Sequence, residues 1–339
     1  MGALTADTWL RAPFPWYGGK RRVAREVWSY LGDDAGRYVE PFAGSLGVLF
    51  GRPHITGLEI VNDIDGHVVN VWRALKHSPD ETIRWADDIR AEFDLTAKHL
   101  WLVNEGAARL RAGLQTDVEW HDVQVAGWWL YGVALWIGQG FASRGGEGPW
   151  TRAEIVDRER RPGRTPAVGN DGRGVKRQVP NLGNDGQGVH RQLPHLGDDG
   201  RGVHSRVIGD GIYQLARSLQ NRLRKVVICN GDWSRVLTPT SLRASSGHTA
   251  VYLDPPYDGF EDAYGRQPVW GKVVDWCEHH TNSPYRIVLS GYDGARKPEG
   301  WREVAYTAAS TASSNRTRER LWISPACIGA QSLFDEMAS

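Results

Sequence analysis

Cysteine is scarce in this chain. Cys229, Cys277 and Cys327 stand far apart and form no CxxC pair. That spacing argues against a disulfide framework or a clustered zinc site, so no metal is expected and a reducing cytoplasm suits the chain. A leader of charged-then-apolar type is not seen at the N-terminus. Long hydrophobic runs are also missing. The most apolar stretch, Val123 to Ile137, falls short of the ~20 residues a membrane span needs and reads as a buried helix. No glycine-rich loop ending in Lys-Ser/Thr is present, so a triphosphate cradle is not expected. Nor is there an excess of one charge. The chain carries 41 Lys and Arg against 40 Asp and Glu, a net of +1, which argues against a uniform coat for nucleic acid.

The distribution of that charge says more. Between Arg144 and Lys225 there are 16 basic and 9 acidic residues, a net of +7, so the remainder is about −6. A basic middle inside an acidic frame suits contact with a polyanion; a solvated, charged loop region is the rival reading. The same middle holds three copies of a short unit. Gly169, Gly183 and Gly197 mark a period of 14, in the runs Val168–Val175, Leu182–Val189 and Leu196–Val203. That period is too short for the common helical solenoids. Asn-Asp-Gly and Asp-Asp-Gly are turn sequences, so each unit can form a small hairpin or loop. A low-complexity insert is the stronger rival. A calcium repeat is disfavoured, because the acids are few and no Glu closes the loop.

With 339 residues, the chain suits one large domain or two with one inserted in the other. Residues 20–31 suggest a helix whose apolar face is Val23, Val27, Trp28 and Leu31. Strands are expected at Arg37–Val39, Ile55–Val61, Val226–Cys229, Val251–Leu253, Arg286–Leu289 and Leu321–Ser324. Helices are expected at about His67–Lys76, at Glu81–Ala91 and from Ile208, where Ile212, Leu215, Leu219 and Leu223 share a face. Strand–turn–helix–strand–acid order at the start is the signature of a doubly wound nucleotide-binding half. Several strands deliver polar residues at their carboxyl ends: Glu40, Asn62-Asp63, Asn230-Gly231-Asp232 and Asp254. After Leu253 come two prolines, Pro255 and Pro256, and then Tyr257. Proline has no N–H to give a ladder, so the strand must stop and present Asp254 at the sheet's carboxyl edge, where open α/β sheets bind ligands.

Four motifs in this order resemble the Dam-like adenine class (D12 class, alpha-type) of amino-group DNA methyltransferases. They are Pro15-Trp16-Tyr17-Gly18-Gly19-Lys20, Glu40-Pro41-Phe42-Ala43-Gly44, Asn62-Asp63 and Asp254-Pro255-Pro256-Tyr257. The likeness spans roughly residues 14–112 and 208–325. It implies an α/β fold: a doubly wound, Rossmann-like sheet of the S-adenosylmethionine-dependent methyltransferases with an inserted, loop-rich target-recognition region. The catalytic domain would occupy 1–112 and 208–339, with 113–207 inserted between and the repeats at 168–209.

The resemblance also implies the chemistry. The cofactor would be S-adenosylmethionine, held by Trp16, Lys20, Glu40, Phe42, Gly44, Asp63 and Asp232. Asp63 would accept from ribose hydroxyls and Asp232 from the cofactor's adenine amino group; for each lone Asp, a helix N-cap is the rival reading. The catalytic set would be Asp254, Pro255, Pro256 and Tyr257. Asp254 and the Pro255 carbonyl would accept the two hydrogens of a target adenine's amino group, and Tyr257 would stack on the base. The partner would be double-stranded DNA with that adenine flipped out. Arg144, Arg173, Lys176, Arg177, Arg191 and Arg201 of the middle region, with Arg316 and Arg318 of a late basic run, would meet the nucleic acid. No membrane and no obligate protein partner are implied, and the setting would be a bacterial or phage-infected cytoplasm. A restriction nuclease, if one exists, would be on another chain.

Two departures matter. Leu46 stands where the family's second loop glycine would be. The asparagine–arginine and glycine-rich signature that precedes the recognition domain is not recognisable at Leu135–Arg144, so no GATC target carries over. The amino nitrogen of cytosine, and a catalytically silent DNA-binding protein on the same scaffold, are the alternatives.

Overall fold

The computed structural model describes residues 10–14, 16, 19–87, 92–135, 142, 208–256, 269–306 and 319–327. The chain divides into two compact units. One comprises Met1–Ala12, Trp16–Val69 and Asn221–Ser339, the other Pro13–Pro15 and Asn70–Gln220. The sequence expectation set the inserted region at 113–207; the second unit takes in residues from Asn70 onward. The three repeats lie outside the described residues.

The first unit is built on one sheet. Its strands are β1 (Arg37–Glu40), β2 (Leu58–Asp63), β3 (Val226–Asn230), β4 (Thr249–Leu253), β5 (Arg286–Tyr292), β6 (Arg302–Ala305) and β7 (Glu319–Ile323). Their order is β3-β2-β1-β4-β5-β7-β6. The pairs among β3, β2, β1, β4 and β5 are parallel, while β7 runs antiparallel to β5 and β6. The chain first winds outward from β1 through β2 to β3, then returns to place β4 on the other side of β1. The order therefore reverses between β1 and β4, and in open α/β sheets the carboxyl ends at such a switch point are where ligands bind.

The packing follows from the strand sequences. All five residues of β4 are buried, as expected of a central parallel strand covered on both faces. Val39, Ile60, Val251, Leu253, Ile287 and Leu289 form a core with Val273, Val274 and Cys277 of the helix Trp270–His279. The helix α1 (Ala24–Leu31) buries Val27, Trp28 and Leu31, and the Trp28 indole donates to the Val48 carbonyl at 2.8 Å. It starts at Ala24, not at residue 20, because residues 21–23 form a turn. Gly47 lies so close to them that a Cβ there would come within 2.8 Å of the Arg21 nitrogen.

A buried ionic knot joins β2 to the end of the helix Ile208–Leu223. Arg222 meets both Glu59 carboxylate oxygens, at 2.6 and 2.7 Å. Arg52 meets Glu59 at 3.1 Å and also donates to the Ala35 carbonyl. Two guanidinium groups thus surround one buried carboxylate, an arrangement stable only with every partner in place.

Boundaries differ from the sequence expectation in places. β2 starts at Leu58 and runs through Asp63, so Asn62 and Asp63 are the last rungs of the ladder rather than a following loop. β7 starts at Glu319 rather than Leu321. β6 was not foreseen at all. Its sequence, Arg-Glu-Val-Ala, is short and largely exposed, and it is a strand because β7 pairs with it. Charged residues on such an edge also deter pairing with other chains.

In the second unit, Pro79 opens the helix Pro79–Ala86 at its first position, where its missing N–H costs nothing. The helix Val123–Leu135 is buried along most of its length, as its composition led us to expect. Gly127 lets it approach the helix Pro79–Ala86, since a Cβ there would fall 2.3 Å from that of Trp85. Lys98 is buried against the rings of Trp128 and Tyr131, with Asp94 as its counter-ion. No described helix is long and apolar enough to cross a membrane.

Candidate active site

The carboxyl ends of β1, β2 and β3 are laced together by side chains. The Asn62 amide donates to the Pro41 and Gly231 carbonyls, both at 3.0 Å. The Asn62 carbonyl accepts from the Ala43 N–H at 2.8 Å. The Asn230 amide donates to the Asp63 carbonyl at 3.0 Å. Asp63 accepts from the Gly44 N–H at 2.9 Å with one oxygen and from the Asp65 N–H at 2.8 Å with the other. These bonds clamp the loop after β1 onto the end of β2.

That loop contains the Leu46 departure, and the structure shows its path. Leu46 adopts the left-handed conformation (φ 56°, ψ 29°), a region that glycine enters without cost and leucine does not. Its side chain is fully buried. Packing of the leucine therefore offsets the backbone strain, and the turn into the short helix Gly47–Phe50 is kept. Gly44 is also left-handed (φ 45°), and a Cβ there would lie 2.5 Å from the Trp16 indole nitrogen. Trp16 thus lies directly over the loop.

Glu40 is turned inward, with 2% exposure. It accepts from the Tyr38 hydroxyl at 2.9 Å and from the Leu49 N–H. Burial, with the negative charges of Asp254 and Glu59 adding to it, raises its carboxyl to about 8; the two hydrogen bonds act in the opposite direction. The folded protein therefore holds a proton on Glu40 at neutral pH that the unfolded chain, near its ordinary ~4.3, has lost. Glu40's contribution to stability is full below ~4.3 and is lost as pH rises toward about 8. Glu40→Gln should remove that loss. Urea unfolding should find the variant and parent similar near pH 5 and the variant ahead by on the order of 2–4 kcal/mol near pH 8.

On the other side of the switch point, Tyr252 and Ser290 share a hydrogen bond of 2.7 Å that ties β4 to β5. Asp254 and Pro255 follow β4, as the two prolines require. Lys20 Nζ meets Asp254 Oδ1 at 3.1 Å; the lysine side chain is 6% exposed and the aspartate 21%. Burial pulls the Lys20 ammonium down, but Asp254, Tyr306 and Glu319 together outweigh it and hold the lysine above its ordinary value. A motif near the chain's start is thereby joined to one more than two hundred residues later.

Asp232 accepts from the Ser234 N–H and caps the short helix Trp233–Val236. Phe42 stacks on Trp233 with ring centroids 6.1 Å apart. Tyr257 lies outside the described residues, as do Arg144, Arg173, Lys176, Arg177, Arg191, Arg201, Arg316 and Arg318. Trp16, Lys20, Glu40, Phe42, Gly44, Asp63, Asp232, Asp254, Pro255 and Pro256 all belong to the first unit. Ile64 was not foreseen: it is 48% exposed just beyond Asp63. The signal was available, since an isoleucine between two acids at a strand end is out of place on a polar turn. Tyr306 and Glu319 were also missed; no local pattern marks them. Among the described residues, no cluster of acids, histidines or cysteines could hold a metal ion.

A seven-stranded, mostly parallel sheet with an acid-proline-proline stop beside its switch point is a Rossmann-like methyltransferase fold. Residues 16–99 match the model of a family described as D12 class N6 adenine-specific DNA methyltransferase. That match supports the Dam-like family and an adenine DNA methyltransferase activity. No match was found among curated proteins.

Proposed function

We propose that the chain transfers a methyl group from S-adenosylmethionine to the exocyclic amino nitrogen of an adenine flipped out of double-stranded DNA. The observation that carries this reading is the Lys20–Asp254 pair at the end of β4, beside the loop that follows β1.

The residues present suit the cofactor. The loop at Gly44 leaves no room for a side chain beneath Trp16, so backbone and indole form a close-fitting wall. Asn62 Oδ1 is buried and has no hydrogen-bond partner among the described residues, an unused acceptor at the end of β2. Ile64 and Phe42, the latter backed by the buried Trp233, supply apolar surface at the ends of β1 and β2 for a flat purine, and Asp63 and Asp232 supply acceptors for ribose and amino groups. Glu40, being buried, supports the loop from behind through Leu49. When bound, S-adenosylmethionine supplies a methyl group already activated by its sulfonium.

The chain's own residues then act on the base. An adenine amino nitrogen is a poor nucleophile, because its lone pair is delocalised into the ring. Asp254 accepts one amino hydrogen and the Pro255 carbonyl the other. Two acceptors draw the nitrogen toward tetrahedral geometry and stabilise the positive charge that develops on it. Proline fixes φ near −65°, so the second acceptor stays aimed. The excess proton leaves the nitrogen after methylation, and no base of shifted pKa is needed beforehand. Tyr257 would stack on the flipped base, a contact worth ~1–3 kcal/mol and tolerant of sequence. Arg144, Arg173, Lys176, Arg177, Arg191, Arg201, Arg316 and Arg318 would contact the phosphates. The setting would be the cytoplasm of a bacterium or phage-infected cell.

The test is methyl-sensitive sequencing of DNA from cells expressing the parent chain or Asp254→Ala. N6-methyladenine at one motif, in the parent sample alone, is expected. N4-methylcytosine in its place would move the reading to the cytosine amino group. No modified base beside intact cofactor binding would favour a silent DNA-binding protein.

A further inference from the structure

The exit of β3 is pinned to the end of β2. The Gly231 N–H and the Asn230 amide both donate to the Asp63 carbonyl, at 3.1 and 3.0 Å. The Asn62 amide donates to the Gly231 carbonyl at 3.0 Å. Gly231 has φ 143°, a region that glycine enters and other residues avoid. Its missing side chain leaves room for another. The Arg235 side chain folds back across it, so that a Cβ on Gly231 would lie 2.6 Å from Nη1 and 2.9 Å from Cδ of that arginine. Arg235 Nη1 donates to the Asn230 carbonyl at 2.9 Å. An exposed arginine is thereby held over the backbone at the sheet's carboxyl edge instead of ranging through solvent.

Asp232 stands in the same turn. One of its carboxylate oxygens accepts from the Ser234 N–H at 3.0 Å and from the Ser234 hydroxyl at 2.5 Å; the other has no partner among the described residues. Opposite charges three residues apart on a helical turn commonly pair. Asp232 and Arg235 do not: among the described residues the aspartate accepts only from Ser234 and the arginine donates only to the Asn230 carbonyl. Arg52, Arg222, Arg296 and Arg320, by contrast, each have a carboxylate. A guanidinium has five N–H donors, and one is used here. A free acceptor and free donors thus stand together at the strand end where Asp232 would meet the cofactor's amino group.

We infer that Arg235 is a further cofactor-binding residue: its guanidinium donates to a ring nitrogen of the cofactor's purine while Asp232 accepts from the adjoining amino group. This rests on the S-adenosylmethionine reading above. A 6-aminopurine presents a donor and an acceptor side by side, the complement of this pair. The bond to the Asn230 carbonyl has already fixed the arginine's long side chain, so little freedom is lost when the ligand arrives.

The test is calorimetric binding of two ligands to the full chain. S-adenosylhomocysteine carries the purine, the ribose and an amino-acid end; 5′-methylthioadenosine carries only the purine and ribose. Arg235→Met is expected to weaken both by on the order of 10-fold. Its urea midpoint should stay close to the parent's, because the side chain is exposed. Unchanged affinity for 5′-methylthioadenosine overturns the inference. A loss confined to S-adenosylhomocysteine does so too, since it would put the guanidinium at the amino-acid end. Weakened binding with a lowered midpoint also overturns it, because Arg235 would then only brace the turn. A parent chain that binds both ligands and methylates nothing would sink the methyl-transfer reading alone, and the binding comparison would still decide the role of Arg235.

Discussion

Purified Asp254→Asn protein should transfer methyl groups on the order of 10²–10³-fold more slowly than the parent while still binding S-adenosylmethionine and DNA. Asparagine nearly preserves the shape of the side chain. It keeps a carbonyl acceptor but removes the negative charge that would stabilise the developing ammonium. It also leaves Lys20, at 6% exposure, without the carboxylate at 3.1 Å. Stripping one partner from such a pair should cost on the order of 1–3 kcal/mol, since Glu319 and Tyr306 still act on the lysine. The two losses can be separated. Adding Lys20→Met to Asp254→Asn removes the stranded charge and should restore the urea midpoint, but not the methylation rate. If the double variant recovers both, the defect in Asp254→Asn is one of folding, and Asp254 has no direct part in the chemistry.

Glu59→Ala should lower the stability of the chain by on the order of 3–5 kcal/mol, measured by urea unfolding without ligand. The value is high for one substitution because two cations lose their shared partner. Arg52 keeps the Ala35 carbonyl and Thr56, and Arg222 keeps the Leu49 carbonyl at 3.0 Å, but neither keeps a counter-charge among the described residues. Glu59→Gln should fall between parent and Ala, since an amide retains one acceptor. Replacing Arg52, Glu59 and Arg222 together with apolar residues of similar size should cost less than Glu59→Ala alone. A Glu59→Ala chain as stable as the parent would mean that water reaches the knot and shields both arginines.

The sequence was most informative where the constraint is local. Two prolines end a strand whatever surrounds them, so the position of Asp254 could be read directly. Small residues after Glu40 marked a tight turn, and a period near 3.6 marked the helix that buries Val27, Trp28 and Leu31. Continuous apolar runs marked β4 and β5. Asp63 was visible as an acid at a strand end, but its hydrogen bond from the Gly44 N–H was not, because it depends on the loop of another strand. Glu40 looked like any acid before a cofactor loop. Only the packing of Tyr38 and the short helix Gly47–Phe50 around it made it a buried, proton-holding group.

By itself the sequence determined the class of fold, the order of the motifs and the acid at the sheet's carboxyl edge, because each depends on a few adjacent residues and their backbone limits. The tertiary structure decided what those residues meet. The reversal of strand order between β1 and β4 sets the switch point. The passage of residues 20–21 across Gly47 brings Lys20 to Asp254. The antiparallel return of β7 sets Glu319 beside Tyr292 at the end of β5. Partners separated by hundreds of residues leave no periodicity to read, and β6 exists as a strand only because β7 offers it hydrogen bonds.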